Sequence, residues 1–160
     1  MSELDVYNLL DSMQMTYEVI EHGHIATIDE LKETNINGLE YVVKNLFVRD
    51  DKKRNYYLIV IRQDRMICMK DLQKQLHSRQ LSFASEEDLY KYMRLKAGEV
   101  TPFGILNDRE LSVNVVFDNA LSEIIGVHPL RNDKTLFMKT NELIRMIKEH
   151  GNNFQSIYIE

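Results

Sequence analysis

Two β-patterned runs, Val42 to Arg49 and Tyr56 to Ile61, flank the charged segment Asp50-Asp51-Lys52-Lys53-Arg54-Asn55. That spacing predicts a hairpin, and a hairpin here commits the middle of the chain to a sheet with antiparallel pairing. Before it, Val6, Leu9, Leu10 and Met13 recur at helical spacing behind a Ser2–Asp5 capping pair, and Thr16 to Glu21 alternates as a strand. Thr27 and Glu30 then form a capping box for a second helix carrying Ile28 and Leu31. After the hairpin the pattern predicts a short strand over Arg65 to Met69, a helix marked by Leu72 and Leu76, and a strand over Leu81 to Ala84. Ser85 and Asp88 cap a further helix with Leu89, Tyr92 and Met93, and a loop runs from Gly98 to near Asp108. Strands over Ser112 to Phe117 and Thr135 to Lys139 follow, then a helix with Leu143, Ile144 and Ile147, then a strand-like Ser156 to Ile159.

Short strands with scattered helices lack the regular strand-helix beat of a doubly wound sheet. They predict an α/β fold of the α+β kind: a mixed, largely antiparallel sheet, barrel-like, with helices packed outside. At 160 residues the chain is expected to form one domain over 1–160, and it needs no disulfide or structural metal to bury a core. A composition 44% hydrophobic and 28% charged excludes disorder, collagen and coiled coil. Cys68 stands alone inside the apolar stretch Met66-Ile67-Cys68-Met69, so it is expected to be an inert core thiol in a reducing, cytoplasmic protein. The acidic start, Met1 to Asp5, lacks the order of a signal peptide, and the longest apolar run, Tyr56 to Ile61, is too short to span a membrane.

Twenty basic against 25 acidic side chains give a net charge of −5, which opposes a large, sequence-blind nucleic-acid groove. Basic residues still cluster at Lys52-Lys53-Arg54, from Lys70 to Arg79, and at Lys91, Arg94 and Lys96. Each cluster is either a solvated face or a contact for a few phosphates.

Period-two alternation puts Val42, Lys44, Leu46 and Val48 on one strand face and Val43, Asn45 and Phe47 on the other. An ammonium among apolar neighbours must either reach water along its stem or meet an anion, and a phosphate would serve. Gly98-Glu99-Val100-Thr101-Pro102-Phe103-Gly104 is either a plain turn or a loop whose backbone N–H groups approach a ligand. His128-Pro129, after Gly126, is either a hydrogen-bonding substrate contact or an inconsequential surface pair. His22 and His24 form an H-x-H pair with no further ligand set nearby, so no metal is expected. There is no G-x-S-x-G elbow, Walker loop or dinucleotide fingerprint, and no cofactor is expected.

Taken in order, Glu21-His22 with Thr27, Lys44 to Asp50, Tyr56-Tyr57-Leu58, Leu81 to Ser85, Gly98 to Asp108 and His128-Pro129-Leu130 cover nearly the whole chain. These stretches resemble the YbaK-type, synthetase-associated editing domains, and among them the free-standing prolyl-tRNA editing proteins. K-N-L-F-x-R-D and G-x-V-T-P-F-G-I-L-N-D are the specific motifs. Two positions depart from the pattern: His22-Gly23-His24 stands where relatives often have a histidine and prolines, and Val127 where an aromatic residue commonly precedes His-Pro.

The resemblance implies an aminoacyl-tRNA deacylase that hydrolyses a wrong amino acid from the tRNA for proline. The acceptor end of that tRNA would be its partner, and prolyl-tRNA synthetase a second. It gives Lys44 the phosphate of the terminal adenosine, Gly98 the ester carbonyl, and His128 the orientation of substrate or water. Asn45, Thr101, Pro102, Phe103, Gly104 and His22 would bind substrate. Asn45 after the lysine matches the alanine-editing branch, whereas the cysteine-editing branch more often has threonine there. The alternatives are cysteine editing and a silent module that docks tRNA or a synthetase.

Overall fold

The protein is described by a computed structural model covering residues 1–25, 29–30, 33 and 37–159. Helix α1 (Glu3–Ser12) starts where Ser2 and Asp5 form a reciprocal capping box, with Ser2 N donating to Asp5 Oδ2 at 2.7 Å. It buries Val6 and Leu10 in the main core. The expected capping box at Thr27, with Ile28 and Leu31, lies outside the described residues.

The strands form two open sheets rather than a closed barrel. Strands β1 (Tyr17–Glu21), β7 (Lys134–Lys139) and β6 (Ile124–Val127) make an antiparallel sheet in the order β1-β7-β6. The five-stranded sheet has the order β4-β2-β3-β5-β8, from β2 (Val43–Asp50), β3 (Tyr56–Arg62), β4 (Leu81–Phe83), β5 (Val113–Asp118) and β8 (Phe154–Ile157). β2 pairs antiparallel with β3 and β4, whereas β3–β5 and β5–β8 are parallel. The expected hairpin is β2–β3. Its turn is held by buried Asp50, whose carboxylate accepts from Arg54 N at 2.9 Å and Asn55 Nδ2 at 2.8 Å.

The main core lies between the sheets, where Val43, Phe47, Leu58 and Val60 meet Ile125, Val127, Leu136 and Met138. A second cluster covers the opposite face of the five-stranded sheet, with Val48, Ile59 and Ile61 under Leu72 and Leu76 of α2 (Met69–Leu76). Burial on both faces explains why β3 reads as a continuous apolar run rather than an alternation. Helix α3 (Glu86–Met93) is capped by Ser85, as its sequence predicts, and α4 (Thr140–His150) packs Leu143 and Ile147 into the main core. Among the described residues no helix is long and apolar enough to cross a membrane.

Two local expectations are corrected, and one strand is missed. Arg65 to Met69 is not a strand: 65–68 is irregular, and Met69 already opens α2 with Cys68 extended at its N-cap. Cys68 is therefore exposed, not core, because a cap residue sits outside the face that the helix buries. β6 goes unread in the sequence because Gly126 interrupts Ile-Ile-Gly-Val, a residue that ordinarily marks a turn.

Candidate active site

The two sheets touch where Val42, just before β2, makes a parallel bridge to Gly126 in β6. Two residues farther along these codirectional stretches stand Lys44 and His128. Alternation sends Ile125 and Val127 of β6, and Leu136 and Met138 of β7, into the main core. Gly126, Thr135 and Phe137 therefore share the outer face of the three-stranded sheet, and there Val42 packs with Phe137 and Ile25. A Cβ on Gly126 would lie 2.7 Å from Phe137 Cε1 and 3.0 Å from Thr135 Cγ2, so only glycine lets the chain pass so close.

Two histidines converge on this face. The ring Nδ1 of His128 lies 3.1 Å from the Lys134 carbonyl, which only accepts, so Nδ1 carries the proton and Nε2 is the acceptor in the neutral ring. Burial pushes the His128 pKa below the ordinary histidine value; the bond to Lys134 and the charges of Glu99 and Asp133 pull the other way without offsetting it. The ring of His22 donates from Nδ1 to the Gly23 carbonyl at 2.8 Å, which leaves its Nε2 to accept from the Thr135 hydroxyl at 2.8 Å. His24 turns away to Asn132 Oδ1, and among the described residues no three His, Cys, Asp or Glu side chains gather as a metal site.

The Gly98 loop is tied to the same place. Thr101 is fully buried and donates its hydroxyl to the His128 carbonyl at 2.6 Å. Gly98 adopts φ +82, in the left-handed region, and Glu99 N donates to Lys96 O. The amides of Gly98, Val100 and Thr101 find no acceptor among the described residues. Pro102 then opens a 3₁₀ turn over Pro102–Asn107 that runs straight into the core. Phe103 is fully buried there, and a Cβ on Gly104 would lie 2.7 Å from Leu95 Cδ1. These two residues anchor the loop from beneath.

Lys44 is half-buried, and its ammonium donates to the Arg65 carbonyl at 2.8 Å. No described carboxylate pairs with it, so its protein partner is a neutral carbonyl. Asn45 faces the other way, between Val43 and Phe47 on the core side, and its buried Oδ1 has no donor among the described residues. The tertiary structure thus gathers His22, His128 and Thr101, and brings Lys44 to the same sheet junction, but leaves Asn45 on the opposite face of β2.

Residues 22–146 match the aminoacyl-tRNA editing domain family. The chain belongs to that family. It is 43% identical over 150 residues to the prolyl-tRNA editing protein ProX of Acetoanaerobium sticklandii, covering 92% of each chain. It is 31% identical over 152 residues to prolyl-tRNA synthetase associated domain-containing protein 1 of Mus musculus, covering 90% of this chain and 88% of that one. A crystal structure of a candidate trans-editing enzyme for prolyl-tRNA synthetase superposes with a TM-score of 0.73 at 16% identity, over 99% of this chain and 96% of the other, and shares its fold.

Two contributors to the site of this editing domain escape sequence reasoning. Thr135 holds His22, and Lys134 holds His128 through its backbone while its own ammonium is clamped by Glu3 at 2.6 Å. The one signal for Thr135 is a hydroxyl inside the apolar strand Lys134–Lys139, where a buried polar group needs a partner. Nothing local marks Lys134, because a backbone carbonyl has no side-chain signature.

Proposed function

We propose that this editing domain is a free-standing deacylase that hydrolyses misacylated tRNA for proline, with the alanyl ester as its preferred substrate. The identity of 43% over 92% of both chains to a prolyl-tRNA editing protein carries the reading. Asn45 next to Lys44 supports the choice of alanine. A synthetase built for proline rejects a smaller amino acid by only about 1–3 kcal/mol for each missing methylene. A second pocket that admits alanine and excludes the proline ring removes only the error.

In this reading Lys44 exchanges the Arg65 carbonyl for the phosphate of the terminal adenosine, a stronger, charge-assisted partner. The open amides of Gly98, Val100 and Thr101 face the oxyanion that develops on the ester carbonyl. Nε2 of His128 accepts a proton or hydrogen bond from the attacking water or from the neighbouring ribose hydroxyl. Thr101, Pro102, Phe103 and Gly104 hold the loop in register, and His22 lines the pocket from β1's end.

Charging the tRNA for proline separately with alanine, cysteine, serine and proline tests the proposal. The expected result is rapid loss of alanine with prolyl-tRNA spared; equal loss of all four esters, or of none, overturns the sieve.

A pH dependence follows from His128. Its folded pKa lies below the ordinary value near 6.5, so the ring is neutral at pH 7 and gains its proton only under more acidic conditions. Deacylation should fall with acid along a limb centred below about 6.5, and His128→Asn should remove that limb together with about a hundredfold of the rate. Linkage gives the sign for stability. The unfolded ring takes up its proton near 6.5 and the folded one only below that, so this contribution is complete above about 6.5 and is lost as pH falls through the lowered value. An unchanged acid limb in His128→Asn would assign the titration to another group.

A further inference from the structure

The C-terminal end of α3 and the end of the 3₁₀ turn flank a groove of about 440 Å³, lined by Lys91, Tyr92, Arg94, Asp108, Arg109 and Glu110 among others. Three of these side chains are cations, and none makes an ion pair with a described carboxylate. Two are carried on aromatic rings: Lys91 Nζ lies 5.2 Å from the centroid of Tyr92, and the Arg94 guanidinium 5.0 Å from that of Tyr90. Tyr90 is 53% exposed beside them. Two acids share the lining with the three cations, and neither is ion-paired to them. Asp108 spends its carboxylate on the amides of Ser112 and Val113 and on Asn152, and Glu110 stands exposed at the rim.

A groove with three cations to two carboxylates, on a chain of net charge −5, is a local excess of positive charge set against the field of the rest of the molecule. Its position relates it to the candidate active site. Gly98 stands only four positions after Arg94, so their Cα atoms lie no more than about 14 Å apart. Asn107 also donates to the Met93 carbonyl, which fixes the turn against α3 and holds Arg109 opposite Lys91 and Arg94.

We propose that this groove binds the phosphate backbone of the RNA strand that delivers the 3′ end to the site, with Lys91, Arg94 and Arg109 on phosphates and Tyr90 as an exposed stacking face. The proposal rests on the deacylase reading for the identity of its RNA. Arg94, within one loop's length of Gly98, is placed to meet a phosphate near the terminal adenosine, whereas base-specific recognition would need side-chain amides or bidentate arginines aimed at base edges. The groove therefore supplies affinity that is independent of which amino acid is attached.

The test compares wild type, Lys91→Gln/Arg94→Gln/Arg109→Gln, and Lys70→Gln/Lys74→Gln on α2 as a control. Glutamine keeps a stem on the tyrosine rings, and thermal unfolding checks that each variant is folded. Filter binding of uncharged proline tRNA is measured at several salt concentrations, and hydrolysis is measured on alanyl-tRNA and on alanyl-adenosine. The triple variant should bind tRNA about tenfold or more weakly, with a salt slope shallower by about 2–3. It should hydrolyse alanyl-adenosine at the wild-type rate, and the control should match wild type throughout. Wild-type affinity and slope in the triple variant overturn the proposal, as does an equal loss in the control. A triple variant that binds tRNA normally but loses a response to added prolyl-tRNA synthetase overturns it in favour of a protein-docking face. Should wild type hydrolyse neither ester, the deacylase reading fails, while the salt slopes still decide whether the groove binds RNA.

Discussion

Lys44→Ala should lower kcat/KM for alanyl-tRNA roughly ten- to 150-fold, the equivalent of losing one charge-assisted hydrogen bond worth about 1.5–3 kcal/mol. A phosphate held in both ground and transition states contributes uniform binding, so the loss should appear chiefly in KM. Folding should change by about 1 kcal/mol or less, because the ammonium makes a single bond, to the Arg65 carbonyl, and removing it also removes the cost of keeping an unpaired charge half-buried. Lys44→Arg keeps the charge on a planar, bulkier group and should rescue only in part. Single-turnover deacylation and thermal unfolding of the three proteins decide the matter. Wild-type rate and affinity in Lys44→Ala would reduce Lys44 to a lysine satisfied by a loop carbonyl and would move the phosphate site elsewhere.

Asp108→Ala should be strongly destabilising, at about 3–5 kcal/mol. Its carboxylate accepts from Ser112 N at 3.0 Å, from Val113 N at 2.8 Å and from Asn152 Nδ2 at 2.9 Å. Truncation leaves the amides of Ser112 and Val113 without an acceptor and leaves Asn152 Nδ2 only the Val113 carbonyl, and Val113 and Asn152 are buried. The bonds set the register of β5 beside β3 and tie it to the segment leading into β8. For a chain of this length the loss corresponds to a fall in Tm of about 10–15 °C. Asp108→Asn keeps one carbonyl oxygen and should fall between the two. Folded Asp108→Ala, assayed well below its Tm, should keep its rate on alanyl-adenosine. Unfolding at the wild-type temperature would instead make this carboxylate dispensable to the fold.

Asp108 shows how a motif mixes purposes. Within G-x-V-T-P-F-G-I-L-N-D, Gly98 and Thr101 lie at the His128 junction, Phe103 and Gly104 are packed in the core, Asn107 caps α3, and Asp108 satisfies backbone amides. The letters show that the stretch matters. Which letters touch substrate and which hold the fold depends on what each side chain meets, and the partners, His128, Met93, Val113 and Asn152 among them, lie outside the motif.

Sequence alone was sufficient for the hairpin, the caps of α1 and α3, the alternation of β2 and the family. Each rests on short-range physics, a period of two or a side chain bonding its own turn, or on motif order. It failed where the deciding partner is remote. Cys68 reads as core from its apolar neighbours, yet the packing of Leu72 and Leu76 fixes the start of α2 and leaves the thiol in water. β6 is invisible until Phe137 and Thr135 require a glycine across from them. The same division holds at the site. Lys44 and Asn45 are adjacent letters, and the pleat sends them to opposite faces, one toward the Arg65 carbonyl and one into the core. Lys44 and His128, 84 positions apart, come to one sheet junction because Val42 bridges Gly126. A strand's period is written in its own residues, whereas the neighbour across a sheet junction is chosen by how two apolar faces bury each other.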